Sequence, residues 1–449
     1  MPWEPKVMRT VRFRNEQSVG ALARLLTLIA DEGGSVGAIQ LLTETSLNVV
    51  RDISIYADSP EHMERILEAM RSHPTVKVLD VRDEVLELHL KGKIAIRSRY
   101  PITSLAVLRR VYTPGVAEVC LKIARDPSLA HLYTSTSHMV AIVTDGTAVL
   151  GLGDIGPLAG MPVMEGKAML METLVGLSGI PILLNTKDTE EIIRTVANIA
   201  PTFAAIQLED ISAPRCFEIE QRLQKMLDIP VLHDDQHGTA VVTTAALMVA
   251  SRQTGTYLSS AKIGQIGLGA AGFATAKMLM RMTGNPVWGA DLNPEAINRL
   301  ALAGGKPSNL REIMQTCDIV IATTGAPGLI KPEMVRKGQI ILALSNPNAE
   351  IEPEVALAHG AAFAADGKSV NNVLGFPGIF RGAVDSNARE ITYEMLAAAA
   401  YTIADMTTGS DLVPNPLDKS VHQAVARAVA QKAIEQGVAR ADYVPYVDD

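Results

Sequence analysis

The sequence predicts an α/β protein of three parts: a small N-terminal unit, a mixed α/β middle region and a C-terminal doubly wound parallel sheet. Three observations carry this. Beyond about residue 241, apolar runs alternate with helical patterns, at Lys262–Ile266, Pro286–Ala290, Ile319–Thr323, Gln339–Leu344 and Ala361–Ala365, the rhythm of βα repetition. A Gly267-x-Gly269-x-x-Gly272 run closes the first of these strands. Residues 1–86 read β-α-β-β-α-β in order. A chain of 449 residues is also too long for one core.

In the first unit, Val11 and Phe13 alternate with Thr10, Arg12 and Arg14, the period of a half-buried strand. Leu22, Leu25, Leu26 and Ile29 line one helix face, which Gly33-Gly34 can end. Strand-like runs follow at 36–42 and 48–57. Ser59-Pro60 supplies an N-cap and a first helical residue. Met63, Ile66, Leu67 and Met70 repeat the helical spacing, and Val76, Val78 and Val81 close a ferredoxin-like arrangement.

The middle region, 87–240, alternates apolar runs such as Met139–Val143, Ile180–Leu184 and Phe203–Leu208 with helical patterns. The remainder, 241–449, holds the regular βα repeats and an alanine-rich helix at 395–404. A net charge of −8 argues against a nucleic-acid or anionic-membrane surface. No apolar run reaches a membrane span, and no N-terminal signal pattern is present. Cys120, Cys216 and Cys317 are too scattered for a disulfide framework. They read as small core residues of a cytoplasmic protein.

A second run, Gly151-Leu-Gly-Asp-Ile-Gly156, fits the same glycine spacing, so context decides. Pro157, Gly160 and Pro162 follow it and predict a broken helix. Phe273–Met280 follows Gly272 and predicts a sound one. The Gly267, Leu268, Gly269, Ala270, Ala271, Gly272 turn is therefore the Rossmann-like phosphate site. Asp291, ending the next strand, can accept from ribose hydroxyls. No Arg or Lys follows it until Arg299, so NAD is expected, with NADP possible.

Two carboxylate pairs end apolar runs: Glu209-Asp210 after Phe203–Leu208, and Asp234-Asp235 after Ile229–Leu232. Hard oxygen ligands suit Mg²⁺ or Mn²⁺. His233 and His237 flank the second pair and offer a zinc alternative. It would require a helix, and Pro230 and Gly238 are expected to prevent one.

Seven motifs in order are Val111-Tyr-Thr-Pro-Gly-Val116, Thr144–Gly156, Gly160-Met-Pro-Val-Met-Glu-Gly-Lys167, Gln207-Leu-Glu-Asp-Ile211, His233-Asp-Asp-Gln-His-Gly-Thr239, Leu344-Ser-Asn-Pro347 and Asn371–Gly378. With these the chain resembles a malic enzyme of the short bacterial type, and its first unit resembles an ACT domain, with Gly20 between first strand and first helix. The resemblance implies Tyr112 as general acid, Lys167 as general base, and Glu209, Asp210 and Asp235 as metal ligands. It implies Asn346 and Asn372 at the substrate L-malate, Asn346 also at the cofactor, and Asp234 beside the base. Where larger members carry a substrate arginine, Ala148 stands here.

The implied activity is oxidative decarboxylation of L-malate to pyruvate and CO₂ with reduction of NAD(P)⁺. Alternatives are malolactic chemistry, with lactate as product, and decarboxylation of oxaloacetate. A lysine with an ordinary pKa of about 10.4 needs help to act as a base. A nearby cation and a helix starting near Lys167 are expected to supply it. A small effector at the first unit and a homodimer or higher homo-oligomer are the expected partners.

Overall fold

The computed structural model describes residues 7–149, 151–370 and 372–446, so Leu150 and Asn371 of the motifs above lie outside the described residues. The chain divides into two compact units, Met1–Ala95 and Ile96–Asp449.

The first unit runs β1 (Val7–Glu16), α1 (Ala21–Asp31), β2 (Ser35–Glu44), β3 (Asn48–Ala57), α2 (Pro60–Ser72), β4 (Val76–Arg82) and α3 (Glu84–His89). Its antiparallel sheet has the order β2-β3-β1-β4. The apolar stripes of α1 and α2 bury Leu25, Ile29, Met63 and Ile66 against Val11, Phe13, Ile53 and Ile55, with Leu22 at the margin. The Ser59 hydroxyl accepts from the His62 amide at 3.1 Å and so starts α2. On β3, Asp52 holds Arg12 at 2.9 Å and Arg82 at 2.5 Å, tying three strands through one carboxylate. Asp83, just before α3, pairs with Arg9 of β1 at 2.8 Å.

The second unit opens with α4 (Leu105–Val111), α5 (Val116–Arg125) and α6 (Ala130–Tyr133), none of which has a buried residue. There follow β5 (Met139–Thr144), α7 (Pro157–Val175), β6 (Ser178–Leu183), α8 (Thr189–Ile199), β7 (Ala205–Leu208), α9 (Arg215–Met226) and β8 (Val231–His233). These strands make a parallel sheet of order β6-β5-β7-β8. α10 (Asp234–Thr254) then crosses to β9 (Ile263–Ile266), α11 (Ala270–Thr283), β10 (Trp288–Ala290), α12 (Pro294–Leu302), β11 (Lys306–Pro307), α13 (Leu310–Thr316), β12 (Ile319–Ala322), β13 (Ile340–Ala343), α14 (Pro353–Ala358) and β14 (Phe363–Asp366). Their order is β11-β10-β9-β12-β13-β14, the doubly wound arrangement with its switch point between β9 and β12. Finally α15 (Phe376–Asp385) and α17 (Lys419–Glu435) return to pack on α7, while α16 (Tyr393–Met406) packs on α10 and α11.

Several expectations need correction. Both glycine runs lead into helices. Pro157 is the first residue of α7, where its missing N–H costs nothing, and Pro162 removes one hydrogen bond from a long helix. Lys167 consequently sits well inside α7, beyond the reach of its N-terminal dipole. A settled helix does run through His237 and Gly238. A side chain at 238 would lie 1.9 Å from Asp234 Oδ1, so this glycine makes room for a carboxylate one turn earlier. The boundary expected at 240/241 falls within α10, whose residues from Ala240 to Ser251 are all buried. Of the thiols, Cys216 and Cys317 are core residues but Cys120 is exposed.

The first unit has its own core, and Phe13 is fully buried in it. Phe13→Ala should cost about 3–5 kcal/mol. In calorimetry it should lower one thermal transition and leave that of the second unit in place. A common shift of both would show that the units do not fold separately.

Candidate active site

Strand ends and one helix start build the site. Glu209 and Asp210 leave the C-terminal end of β7, and Asp234 and Asp235 are the first residues of α10, directly after β8. Strand C-termini are where open parallel sheets place their ligands. The start of α10 favours negative charge.

Lys167 reaches in from α7. Its Nζ lies 2.5 Å from Asp234 Oδ2 and 3.0 Å from Glu209 Oε1, with the ring of Phe376 4.6 Å away. Asn372 Nδ2 donates to the same Asp234 oxygen at 2.9 Å. Gln207 Nε2 donates to Glu209 Oε2 at 2.6 Å. The Asp210 amide donates to Asp235 Oδ2 at 2.8 Å. Asp210 itself has a φ of +54°, a left-handed conformation that Asp tolerates better than most residues.

Four carboxylates thus surround one ammonium, and Glu209, Asp210 and Asp234 are at most 2% exposed. Burial, reinforced by Asp235 and Glu209, pushes the Asp210 carboxyl up to about 8. Burial likewise raises Glu209, Asp234 and Asp235. Burial works against the charged form of Lys167, but Asp234 and Glu209 outweigh it and hold the ammonium above its ordinary value.

One oxygen from each of Glu209, Asp210 and Asp235 lies within 4.8 Å of the others. Asp210 Oδ2 is buried without a hydrogen-bond partner. An all-oxygen cluster with an excess of negative charge and an unused buried acceptor fits Mg²⁺ or Mn²⁺. Zinc does not fit as well, because neither histidine joins this group. His237 turns away to Glu220 at 3.0 Å. His233 is fully buried, and burial pushes its ring down to about 4, hence neutral.

A cleft of about 570 Å³ runs from Asp235 and Asn372 past Ala148 and Asn346 to Ala270 and Ala271. The fingerprint turn lies at its far end. Gly267 has a φ of +87°, and a side chain there would lie 2.5 Å from the Thr323 carbonyl. No atom lies within 4 Å of a side chain placed at Gly269. That is the free space a pyrophosphate needs beside the backbone. Asp291 follows β10. Its Oδ2 accepts from the Leu268 amide at 2.6 Å and its Oδ1 from the Asn293 amide at 2.8 Å.

The structure therefore gathers Lys167, Glu209, Asp210, Asp235 and Asn372 into one cluster, whose Asp235 and Asn372 line one end of the cleft. Asn346 lies in its wall, with Nδ2 donating to the Gly367 carbonyl at 3.3 Å. Tyr112 stands apart: it ends α4, is 66% exposed and is not among the residues lining the cleft. Sequence reading missed Gln207, although two-residue spacing on a strand places it on the face of Glu209. It also missed Phe376 and Glu220, for which the sequence gives no signal.

Comparison with known proteins adds two family matches: the malic enzyme N-terminal domain over residues 92–224 and the malic enzyme NAD binding domain over 295–437. The NAD-dependent malic enzyme 1 of Bacillus subtilis is 54% identical over 430 residues, covering 95% of this chain and 98% of that protein. The bifunctional malic/malolactic enzyme of the same organism is 43% identical, covering 81% of this chain and 95% of that one. The crystal structure of the malic enzyme from Pyrococcus horikoshii superposes with a TM-score of 0.77 at 40% identity, covering 80% of this chain and 92% of that chain.

Asp210→Asn keeps a residue that accepts the left-handed backbone but removes one charge. Calorimetry with Mn²⁺ should show affinity at least about tenfold lower at unchanged melting temperature. Unaltered affinity would remove Asp210 from the ligand set.

Proposed function

The chain belongs to the malic enzyme family, with the metal-dependent oxidative decarboxylation of malate by a nicotinamide dinucleotide as its activity, and we propose how its own residues carry that reaction. The observation behind the proposal is the Lys167 ammonium set between Asp234 and Glu209 at one end of the cleft that holds the dinucleotide turn.

Glu209, Asp210 and Asp235 would hold Mn²⁺ or Mg²⁺, which when bound polarises the C2 oxygen of L-malate. The turn Gly267–Gly272 would hold the dinucleotide, which accepts the C2 hydride. The neutral amine of Lys167, which a cation held by the neighbouring acids would favour, takes the C2 hydroxyl proton, and Asp234 steadies the resulting ammonium across their 2.5 Å contact. Asn372 fixes Asp234 by donating to the same oxygen. The 2-oxo acid so formed loses its β-carboxylate as CO₂. Tyr112 protonates C3 of the enolate and pyruvate leaves. Apart from Lys167, which contacts Asp234 behind the cleft's end, no Arg or Lys is placed at the cleft among the described residues. The substrate carboxylate is therefore assigned to the cation, Lys167, Asn346 and Asn372, which answers the alanine at 148.

NAD is the proposed cofactor over NADP. Asp291 presents a carboxylate at the ribose end, and the Arg299 guanidinium is occupied, stacked 4.4 Å over Phe217 and donating to the Leu268 carbonyl at 3.2 Å. We also propose a homo-oligomer. The 96–133 segment exposes Ile96, Tyr100, Leu105, Leu121 and Leu132, an apolar surface that a second copy would cover. Tyr112 rides on that segment, so assembly would also set where the acid stands. Residues 1–86 are assigned to effector binding or assembly, the β5–β8 sheet to substrate and metal, and the β9–β14 sheet to the dinucleotide, with α10 joining the two sheets. No described helix is long and apolar enough to cross a membrane, and the scattered thiols support a cytoplasmic location.

The relative named malic/malolactic enzyme keeps lactate as a second product to be tested. A steady-state assay with malate, each cofactor, and Mn²⁺ or EDTA should give pyruvate and free NADH, abolished by EDTA and restored by Mn²⁺. Lactate without NADH release would establish the malolactic reading. Lys167→Ala should lower kcat on the order of 10²–10⁴-fold while calorimetric NAD binding persists. A variant retaining a tenth of wild-type kcat would remove Lys167 as base. Tyr112→Phe should lose turnover by a similar factor, and full activity would exclude it as acid.

A further inference from the structure

A second cavity, of about 390 Å³, opens on the other side of α10. Successive helix residues turn by about 100°. Asp235, Thr239 and Val242 face the cleft, whereas Gln236, His237 and Ala240 line this second cavity. The same division holds for α11. Ala270 and Ala271 face the cleft, while Phe273, Lys277 and Arg281 face the cavity. The remaining walls come from α9 and α16. One space therefore touches the helix of the metal ligand and the helix of the dinucleotide turn.

Its chemistry is that of an anion receptor. Lys277 and Arg281 stand one turn apart at its mouth. Their described partners are aromatic: Lys277 Nζ is 5.7 Å from the Phe273 ring and Arg281 is 4.7 Å over Tyr393. Neither forms an ion pair with a carboxylate among the described residues. Glu220 and Glu394 act on them only at longer range, and two cations side by side with no carboxylate in ion-pair contact repel and together match a carboxylate or phosphate. Phe217 and Leu396 add apolar wall, and Gln221 and Gln224 add amides.

The floor is Glu220, only 5% exposed. It accepts from the His233 amide at 2.7 Å and from Gln236 Nε2 at 3.1 Å, and it pairs with His237 Nε2 at 3.0 Å. All its bonds go to the turn that carries Asp234 and Asp235. A ligand that draws Gln236 or His237 away from Glu220 shifts that turn.

We propose that this cavity is a regulatory site for a small organic anion, a carboxylate or phosphate on a short apolar body, whose occupancy alters the grip of α10 on the cation. The coupling rests on Asp235 being a metal ligand; the cavity does not. The test uses the full-length protein, with inorganic phosphate and succinate as probes. The apparent activation constant for Mg²⁺ is measured at saturating malate and NAD, and probe binding is followed separately by calorimetry on the NAD-saturated protein.

One probe or both should shift the Mg²⁺ constant about fivefold. Lys277→Gln/Arg281→Gln should abolish the shift and the calorimetric signal, with kcat and the KM for malate within about twofold of wild type. Equal responses in wild type and double variant, inhibition relieved only by malate or NAD, or no binding of either probe would each overturn the proposal. Binding lost in the variant with no shift in the wild-type Mg²⁺ constant would overturn the coupling. A metal-independent wild-type rate would instead defeat the active-site reading and is distinguished by EDTA.

Discussion

The rest of the structure depends on holding four carboxylates close together out of water. Like charges at such distances, with little solvent between them, repel strongly. The fold accepts this cost because three of the four acids are tied to something rigid. Gln207 holds Glu209 from the same strand, Asn372 and Lys167 hold Asp234, and a backbone amide holds Asp235. A single ammonium leaves most of that negative charge uncompensated. The surplus suits a doubly charged cation, and among the described residues Lys167 is the one lysine or arginine in ion-pair contact with the cluster.

The element that makes this arrangement possible is α10. It begins at the end of one parallel sheet and leads directly into the other. Its burial on almost every side suits a helix with no distinct polar face. Because α16 packs on it and α15 and α17 pack on α7, the C-terminal helices brace both Lys167 and the acids it faces. Lys167, the acids and the glycine turn are thereby fixed to one framework, as the proposed roles require of groups that must be held within a fraction of an ångström.

The sequence displayed the parts of this design that follow local rules. Alternation in β1, the stripes of α1 and α2, and the βα rhythm after residue 241 appear in the structure because burial on one face imposes a period. Glu209, Asp210 and Asp235 drew attention because two acidic pairs directly follow apolar runs at strand ends, and the structure brings these three together. What stayed hidden was set by tertiary contact. Gly238 reads as a helix breaker unless one knows that Asp234 folds over it. Pro157 and Pro162 read as breaks until the long packing surface of α7 outweighs one lost hydrogen bond. Glu220 looks like a surface acid on an amphipathic helix, and only the fold shows it buried beneath the turn of His233. Tyr112, assigned by resemblance alone, lies exposed at the end of α4 and apart from the other proposed residues.

The glycine at 238 has a consequence in time as well as in space. A glycine near the start of a helix makes that turn easier to open, by about 1 kcal/mol relative to alanine. The rest of α10 is buried and cannot open without disturbing both sheets. Glu209 and Asp210 are almost sealed, whereas Asp235, on this same first turn, lines the cleft. The helix is thus a bolt with one looser end, and that end carries Asp235 to the cleft.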